Sequence, residues 1–308
     1  MPTISVVMCI YNEKINWIRE SIESIVNQSY SDFEYIIVVD NPDLSEEIHN
    51  YLTYISEVDK RIKLVYNKKN LGLADSLNAG IKQASGEYIA RMDADDIAKA
   101  DRFEKELNYL KVNNADVVSC QRIYINEDGE EIGKSALSVR PAEKRLKVSN
   151  CICHPAAIIK RKCLTELGGY RKFKKSQDYD LWLRFMTEGK KLVILDEYLL
   201  LYRIRANSIS TTNKLEQYYI SEYQKKLYKE RLKYGKDSFS EDDLMNYLES
   251  KKMTESKIKR YNAARKITNI AIDKLRKNDM TLIIDVFHAF FVFPEVPIKT
   301  IIAYFKLR

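Results

Sequence analysis

The chain has 308 residues, 45% hydrophobic and 31% charged, with 51 Lys and Arg against 44 Asp and Glu for a net charge of +7. Such a balance belongs to a folded chain with a sizeable core, and nine Gly and six Pro exclude a collagen-like or low-complexity one. Five cysteines are too sparse for a secreted disulfide framework and point to reduced thiols, and no apolar stretch reaches the roughly 20 residues of a membrane-spanning helix.

The apolar run Ile4–Ile10 is too short for a signal-peptide core and reads as a buried strand. In Ile15–Gln28, Ile15, Ile18, Ile22, Ile25 and Val26 recur at helical spacing. Phe33–Val39 is a second continuous apolar strand, ending at Asp40. Pro42–Val58 reads as a helix with Leu44, Ile48, Leu52 and Ile55 on one face, and Ile62–Tyr66 as a short strand. Leu73–Ala84 is the next helix, and Glu87–Met92 is a strand running into Asp93. Apolar strands separated by helices imply βαβ units and a mostly parallel sheet covered on both faces.

Asp116–Ile125 is a further strand, with a hairpin turn at Glu127-Asp128-Gly129. Cys151–Ile159 and Leu192–Leu195 complete the strands, with a helix at Tyr179–Glu188 between them. From Lys214 the pattern is helical: Leu215–Tyr234, Glu241–Lys277 and an apolar segment Leu282–Phe293. The polar stretch Ser210–Asn213 is the expected boundary, dividing residues 1–213 from a helical extension, 214–308. The charge divides in the same way. Residues 1–215 carry 32 basic and 31 acidic side chains, whereas residues 216–308 carry 19 and 13. A basic tail suits an anionic membrane surface or an acidic partner. No nucleic-acid recognition motif accompanies it, so nucleic acid is not an expected partner.

In open α/β sheets, ligands bind beyond the carboxyl ends of the strands. Three such ends are polar here: Tyr11-Asn12-Glu13, Asp40-Asn41 and Asp93-Ala94-Asp95-Asp96. Asp93, Asp95 and Asp96 place three carboxylates within four residues, a set able to share one Mg²⁺ or Mn²⁺ with water and phosphate. The competing reading is a helix N-terminus, which also favours Asp. Asp178 and Asp180 begin the helix around Leu181, Trp182, Leu183 and Phe185. One of them can be a helix cap, and the other a general base aimed into the site.

Six segments, SVVMCIYNE, VVD at 38–40, NLGLADSLNAGI, YIARMDADD, GGYRKFKKSQDYDLWLR and LYRIRANSIS, stand in that order between residues 3 and 210. Together they resemble family 2 glycosyltransferases of bacterial capsule, O-antigen and cell-wall polysaccharide assembly. The resemblance implies a GT-A (Rossmann-like) α/β fold and an inverting, metal-dependent transfer from a nucleotide-sugar, with Mn²⁺ or Mg²⁺ as cofactor. It places Tyr11 against the nucleotide base and Asp40 on the uracil of a UDP-sugar, with Asn12, Glu13, Asn70 and Gly72 in the loops around the nucleotide. Asp93 and Asp95 match the DxD motif, with Asp96 extending it, and Asp178 matches the catalytic base. Trp182 and His154 fall on the acceptor side, though core packing explains Trp182 equally well. Two departures are visible. Many members have His where Arg205 stands, and a fixed cation can replace that His as a charge but not as a metal ligand. Some have Arg where Leu77 stands, leaving Arg91 and Lys68 as the candidate basic contacts.

The acceptor implied is a glycan or lipid-linked glycan. In the tail, Leu282, Ile283, Val286, Phe287, Phe290 and Phe291 form a broad apolar face, and IKTIIAYFKLR follows with Lys299, Lys306 and Arg308. That combination suits a peripheral contact on the inner face of the cell membrane for a cytoplasmic enzyme, or packing on the catalytic domain or a second subunit in a homo-oligomer. The alternative functions are a catalytically inactive docking subunit of an assembly complex and a nucleotidyltransferase. Tyr11-Asn12-Glu13 in place of a Gly-rich basic loop argues against the second, and the intact Asp93, Asp95 and Asp178 argue against the first.

Overall fold

In the computed structural model, which describes residues 1–136, 141–205, 214–276, 279–298 and 300, the chain divides into two compact units, Met1–Arg205 and Ala206–Arg308. The expected boundary at Ser210–Asn213 lies outside the described residues, as does most of the final segment from Lys299 onward.

The first unit begins with alternating strands and helices: β1 (Ile4–Ile10), α1 (Ile15–Val26), β2 (Phe33–Val39), α2 (Glu46–Val58), β3 (Ile62–Tyr66), α3 (Leu73–Gln83) and β4 (Tyr88–Asp93). Then come β5 (Ile97–Ala98), α4 (Arg102–Val112), β6 (Val117–Ile125), β7 (Glu131–Lys134), α5 (Ala142–Leu146), β8 (Ile158–Lys160), α6 (Arg161–Glu166), α7 (Gln177–Thr187) and β9 (Leu192–Arg203). They build one sheet in the order β3-β2-β1-β4-β8-β6-β9-β5, with β7 on β6. β1 to β4 pair in parallel, as do β6 and β9, while β5, β7 and β8 join antiparallel.

Every residue of β2 and all but one of β1 are buried, because helices cover both faces of the parallel half. α1 contributes Trp17, Ile18, Ile22 and Ile25. α3 lies so close to the sheet that a Cβ on Gly80 would stand 2.6 Å from the Val7 side chain and 3.0 Å from that of Val38. Any larger residue there must push helix and sheet apart.

One polar side chain in this layer ties the elements together. Glu34, 5% exposed, accepts hydrogen bonds from Ser5 Oγ (2.6 Å), Ser85 N (2.7 Å) and Ser85 Oγ (2.7 Å), and pairs with Lys63 at 2.6 Å. Burial alone would raise its pKa, but the bonds from Lys63, Ser5 and Ser85 outweigh burial and hold it at about 2. The carboxylate therefore stays charged across neutral pH and fastens β1, β2, β3 and the turn after α3.

Two readings of the sequence change. The expected strand Cys151–Ile159 contains a single 3₁₀ turn, His154–Ala156, and only Ile158–Lys160 pairs as a strand. Pro155 cannot donate to a ladder and favours the start of a helical turn. The expected strand Leu192–Leu195 runs on to Arg203. Its further residues, Asp196 to Arg203, alternate too little for a period-2 pattern to mark them.

The second unit is helical: α8 (Lys214–Tyr234), α9 (Glu241–Ser250), α10 (Glu255–Arg276) and α11 (Leu282–Val292). The single helix expected over Glu241–Lys277 is two. Lys252 takes a left-handed φ of 44°, and Thr254 Oγ1 then accepts from Lys257 N at 3.3 Å to start α10. Leu215, Tyr219, Tyr261, Ala264, Phe293 and Val296 form its core. Ala289 of α11 is buried and Asp285 pairs with Lys274 at 2.7 Å, while Ile284, Phe287 and Phe291 stay exposed. Among the described residues no helix is long and apolar enough to cross a membrane.

Candidate active site

Parallel pairing brings the carboxyl ends of β1, β2 and β4 to one edge, with Cys9 opposite Asp93 and Ile10 opposite Val39. Asn41 Nδ2 donates to Tyr11 O at 2.7 Å, joining the first two loops. In the β1 loop, Glu13 Oε2 accepts from Tyr11 N (2.8 Å) and Asn12 N (3.2 Å). That loop is thus folded around its own carboxylate, and the Tyr11 ring is left 48% exposed at the mouth.

Asp40 is buried at the end of β2, where three donors of the following loop already use it. It accepts from Asn67 Nδ2 (2.8 Å), Leu71 N (2.8 Å) and Gly72 N (2.9 Å), and Asn70 Oδ1 also accepts from Gly72 N at 2.9 Å. About four acceptor sites exist on a carboxylate, so roughly one remains for a ligand donor. Asp40 and Asn70 shape the loop that starts α3. Gly72 enters that helix at φ 81°, a conformation an L side chain rarely adopts.

β4 delivers the acidic run. Arg91, 1% exposed, lies beneath it, ion-paired to Asp93 and donating to Val7 O at 3.4 Å. Its charge therefore acts on the site from below, through Asp93. Ligand oxygens of Asp93, Asp95 and Asp96 all lie within 4.8 Å of one another. Burial first, then the charges of Asp95 and Asp93, raise Asp96 well above the usual carboxylate range. Burial first, then Asp93, push Asp95 up to about 7 against the pull of Arg205. Without a cation, then, the cluster retains protons that a divalent ion would displace.

Asp96 is the sharpest sign of what the cluster is for. Its Oδ1 accepts from Arg203 N at 2.9 Å, but its buried Oδ2 has no hydrogen-bond partner among the described residues. A buried carboxylate oxygen left unpaired is costly. A hard cation would satisfy it, and three carboxylate donors fit Mg²⁺ or Mn²⁺, whose other ligands are commonly water and phosphate.

The sequence reading missed Arg203 as a structural tie, although it stands in the quoted run Tyr202-Arg203-Ile204-Arg205. Its guanidinium donates to Asp95 O (2.9 Å), Asn126 O (3.2 Å) and Glu127 O (2.9 Å), and pairs with Glu20. It thereby sets the backbone of the acidic loop. Arg205 lies two residues on, its Nε 2.7 Å from Asp95 Oδ2 and its Nη1 3.7 Å from Glu13 Oε1.

On α7, Ser176 is the N-cap residue, in a left-handed conformation, so neither Asp178 nor Asp180 takes that place. Two residues apart on a helix is about 200°, so the two carboxylates face opposite ways. Asp180 is fully buried and pairs with Arg184 at 2.9 Å and Arg171 at 3.3 Å, a structural role. Asp178 accepts from Asn150 Nδ2 at 2.6 Å. Burial raises its pKa, the Asn150 bond lowers it, and the charge of Asp93 raises it again.

His154 and Trp182 sit behind this surface. His154 Nε2 is 2.8 Å from the Tyr170 hydroxyl, and burial with the nearby charge of Arg91 holds the ring neutral. Trp182 is 0% exposed, edge-on to His154 at 6.1 Å and beside Phe185. It has no surface to offer an acceptor, and the packing reading of Trp182 is the one its burial supports.

A family model described as Glycosyl transferase family 2 matches residues 5–168. The chain is 37% identical over 223 residues to an uncharacterized glycosyltransferase of Methanocaldococcus jannaschii, covering 70% of this chain and 77% of that one. It is 35% identical over 211 residues to the O-antigen biosynthesis glycosyltransferase WbnJ of Escherichia coli, over 68% and 82% of the two chains. Its fold is similar to that of S. aureus TarS 1-349 in complex with UDP-GlcNAc, with a TM-score of 0.60 at 16% identity over 80% of this chain and 70% of that one.

Proposed function

This chain belongs to glycosyl transferase family 2 and is a nucleotide-sugar-dependent enzyme of GT-A fold; we propose that its donor is a UDP-sugar and that it transfers the sugar with inversion, using a divalent ion. The observation that carries this reading is the Asp93–Asp95–Asp96 cluster at the end of β4, whose ligand oxygens lie within 4.8 Å of one another and whose buried Asp96 Oδ2 has no hydrogen-bond partner among the described residues. An acid cluster for a diphosphate beside a separate base is what single-displacement sugar transfer requires.

Asp93, Asp95 and Asp96 would hold the ion, and Mn²⁺ or Mg²⁺ bound there would neutralise the leaving diphosphate. Asp178 takes the proton of the acceptor hydroxyl as that oxygen bonds to the anomeric carbon. The carbon–phosphate oxygen bond breaks at the same centre and UDP leaves with its electron pair. Attack opposite the diphosphate inverts the carbon. Asn150 orients the Asp178 carboxylate through its 2.6 Å bond. Tyr11 flanks the base, and the remaining acceptor site on Asp40 takes a base N–H. Support for UDP over other nucleotides comes from Asp40 and the motif resemblance; among proteins of similar fold TarS binds UDP-GlcNAc and a mannosyltransferase of Pyrobaculum calidifontis binds GDP-Man. Calorimetric titration with UDP, GDP and CDP, each with and without Mn²⁺, tests this. UDP is expected to bind alone of the three, and at least tenfold more tightly with the ion than without it. Binding of GDP in its place would overturn the donor, and no binding by folded protein would overturn the function.

The acceptor is a glycan or lipid-linked glycan of a surface polysaccharide, in keeping with the O-antigen biosynthesis role of WbnJ. Ile284, Phe287 and Phe291, exposed on α11 in the basic part of the chain, support contact with an anionic membrane surface. Sedimentation with phosphatidylglycerol vesicles is expected to fall several-fold when Phe287→Ser and Phe291→Ser are combined. Unchanged sedimentation would sink the membrane reading.

A further inference from the structure

The ion pair between Arg205 and Asp95 has a consequence for how this site would load. Arg205 Nε stands 2.7 Å from Asp95 Oδ2, on one of the three carboxylates that the cluster offers to a cation. The neighbouring acids are each engaged differently. Asp93 is held by Arg91 from below, and Asp96 takes a backbone N–H on one oxygen while its other is bare. Asp95 alone of the three carries a side-chain cation that is partly exposed, Arg205 being about a quarter accessible. Arg205 also has a second place to go. Glu13 Oε1 lies 3.7 Å from Nη1, and the Trp17 ring centre lies 5.8 Å from its guanidinium carbon.

We propose that Arg205 is a built-in occupant of the metal site, holding Asp95 in the free enzyme and passing to the donor's diphosphate when the divalent ion takes its place. This rests on the metal-dependent reading above. The physical basis is competition for one carboxylate oxygen. A guanidinium is a fixed cation that cannot be deprotonated and cannot ligate a metal. An ion at Asp95 Oδ2 must replace Arg205, and a dication on either oxygen repels the guanidinium. A displaced guanidinium is costly next to a dication but well placed beside a diphosphate, to which it can donate two parallel bonds. Metal and nucleotide are therefore coupled through Arg205. The ion alone binds weakly, and each of the two strengthens the other.

The test reads binding rather than turnover. Mn²⁺ affinity is measured by the electron paramagnetic resonance of free Mn²⁺, with and without UDP, for wild type, Arg205→Gln and Arg205→Lys. The wild type is expected to bind Mn²⁺ at least tenfold more tightly with UDP than without. Arg205→Gln is expected to tighten Mn²⁺ binding without UDP by about tenfold, to shrink the UDP effect by a similar factor and to weaken UDP binding at saturating Mn²⁺. Arg205→Lys keeps the charge and is expected to stay near wild type in the absence of UDP. Wild-type metal binding that UDP strengthens, but that Arg205→Gln leaves unchanged or weaker, would overturn the proposal and leave the enzyme reading standing. No Mn²⁺ binding by the wild type even with UDP would overturn the metal reading itself, and the proposal with it.

Discussion

Asp178→Asn is expected to lower turnover by about 10²–10⁴-fold while leaving Mn²⁺-dependent UDP affinity within about twofold. Asn matches Asp in shape and can still accept from Asn150, so the local packing survives. It cannot take a proton. The group to be lost acts only as the acceptor hydroxyl attacks, and the nucleotide does not need it. The pH dependence supplies a second reading of the same residue. Burial and the charge of Asp93 lift Asp178 above the ordinary value of 3.8, against the bond from Asn150. Because the base works deprotonated, the acid limb of the rate profile should lie above that value, with activity lost as pH falls through it. The residual rate of Asp178→Asn should lack this limb. Full turnover by the variant on its true acceptor would remove Asp178 from the mechanism.

Asp95→Ala is the second large effect. It is expected to cut the Mn²⁺-dependent part of UDP affinity by about 10–100-fold or more, since loss of partners one shell further out already costs that much in metal sites. The nucleotide affinity measured without metal should not fall, because Asp40, Asn70 and Tyr11 do not depend on Asp95 and Arg205 is freed toward the diphosphate. The variant also removes a charge that raises Asp96, whose retained proton should then be released at lower pH. Calorimetry across pH, with and without Mn²⁺, separates these contributions. Equal metal-dependent affinity in wild type and variant would exclude Asp95 as a ligand.

Much of the first unit was legible because its signals are local. β1 and β2 are seven-residue runs that are apolar except for Ser5 and Glu34, the length and composition of strands buried on both faces. The acidic run after β4 was equally legible, since three carboxylates in four residues are conspicuous wherever they fall. The C-terminal helices were read correctly in type but not in number, because Lys252 turns the chain without a Gly or Pro to announce it. The strand expected at Cys151–Ile159 failed because apolar burial without a period fits a turn as well as a strand.

The site followed the same division. Asp178 and Asp180 are alike in sequence. Only the packing of α7 shows that Asp180 is spent on Arg184 and Arg171 and that Asp178 is held by Asn150, 28 residues away. Asn150 carries no motif, and neither does Glu20, which Arg203 reaches across 183 residues.

The amino-acid sequence by itself determined the alternation of strands and helices, the polar strand ends and the acidic cluster, because periodicity and residue chemistry act over a few positions. What each charged side chain does was decided only in the folded chain. Asp40 became largely a loop organiser, Trp182 a core residue, and Arg205 the partner of Asp95. Such pairings depend on which distant groups the sheet brings within about 3 Å, and a hydrogen bond or ion pair has no range over which sequence spacing could report it.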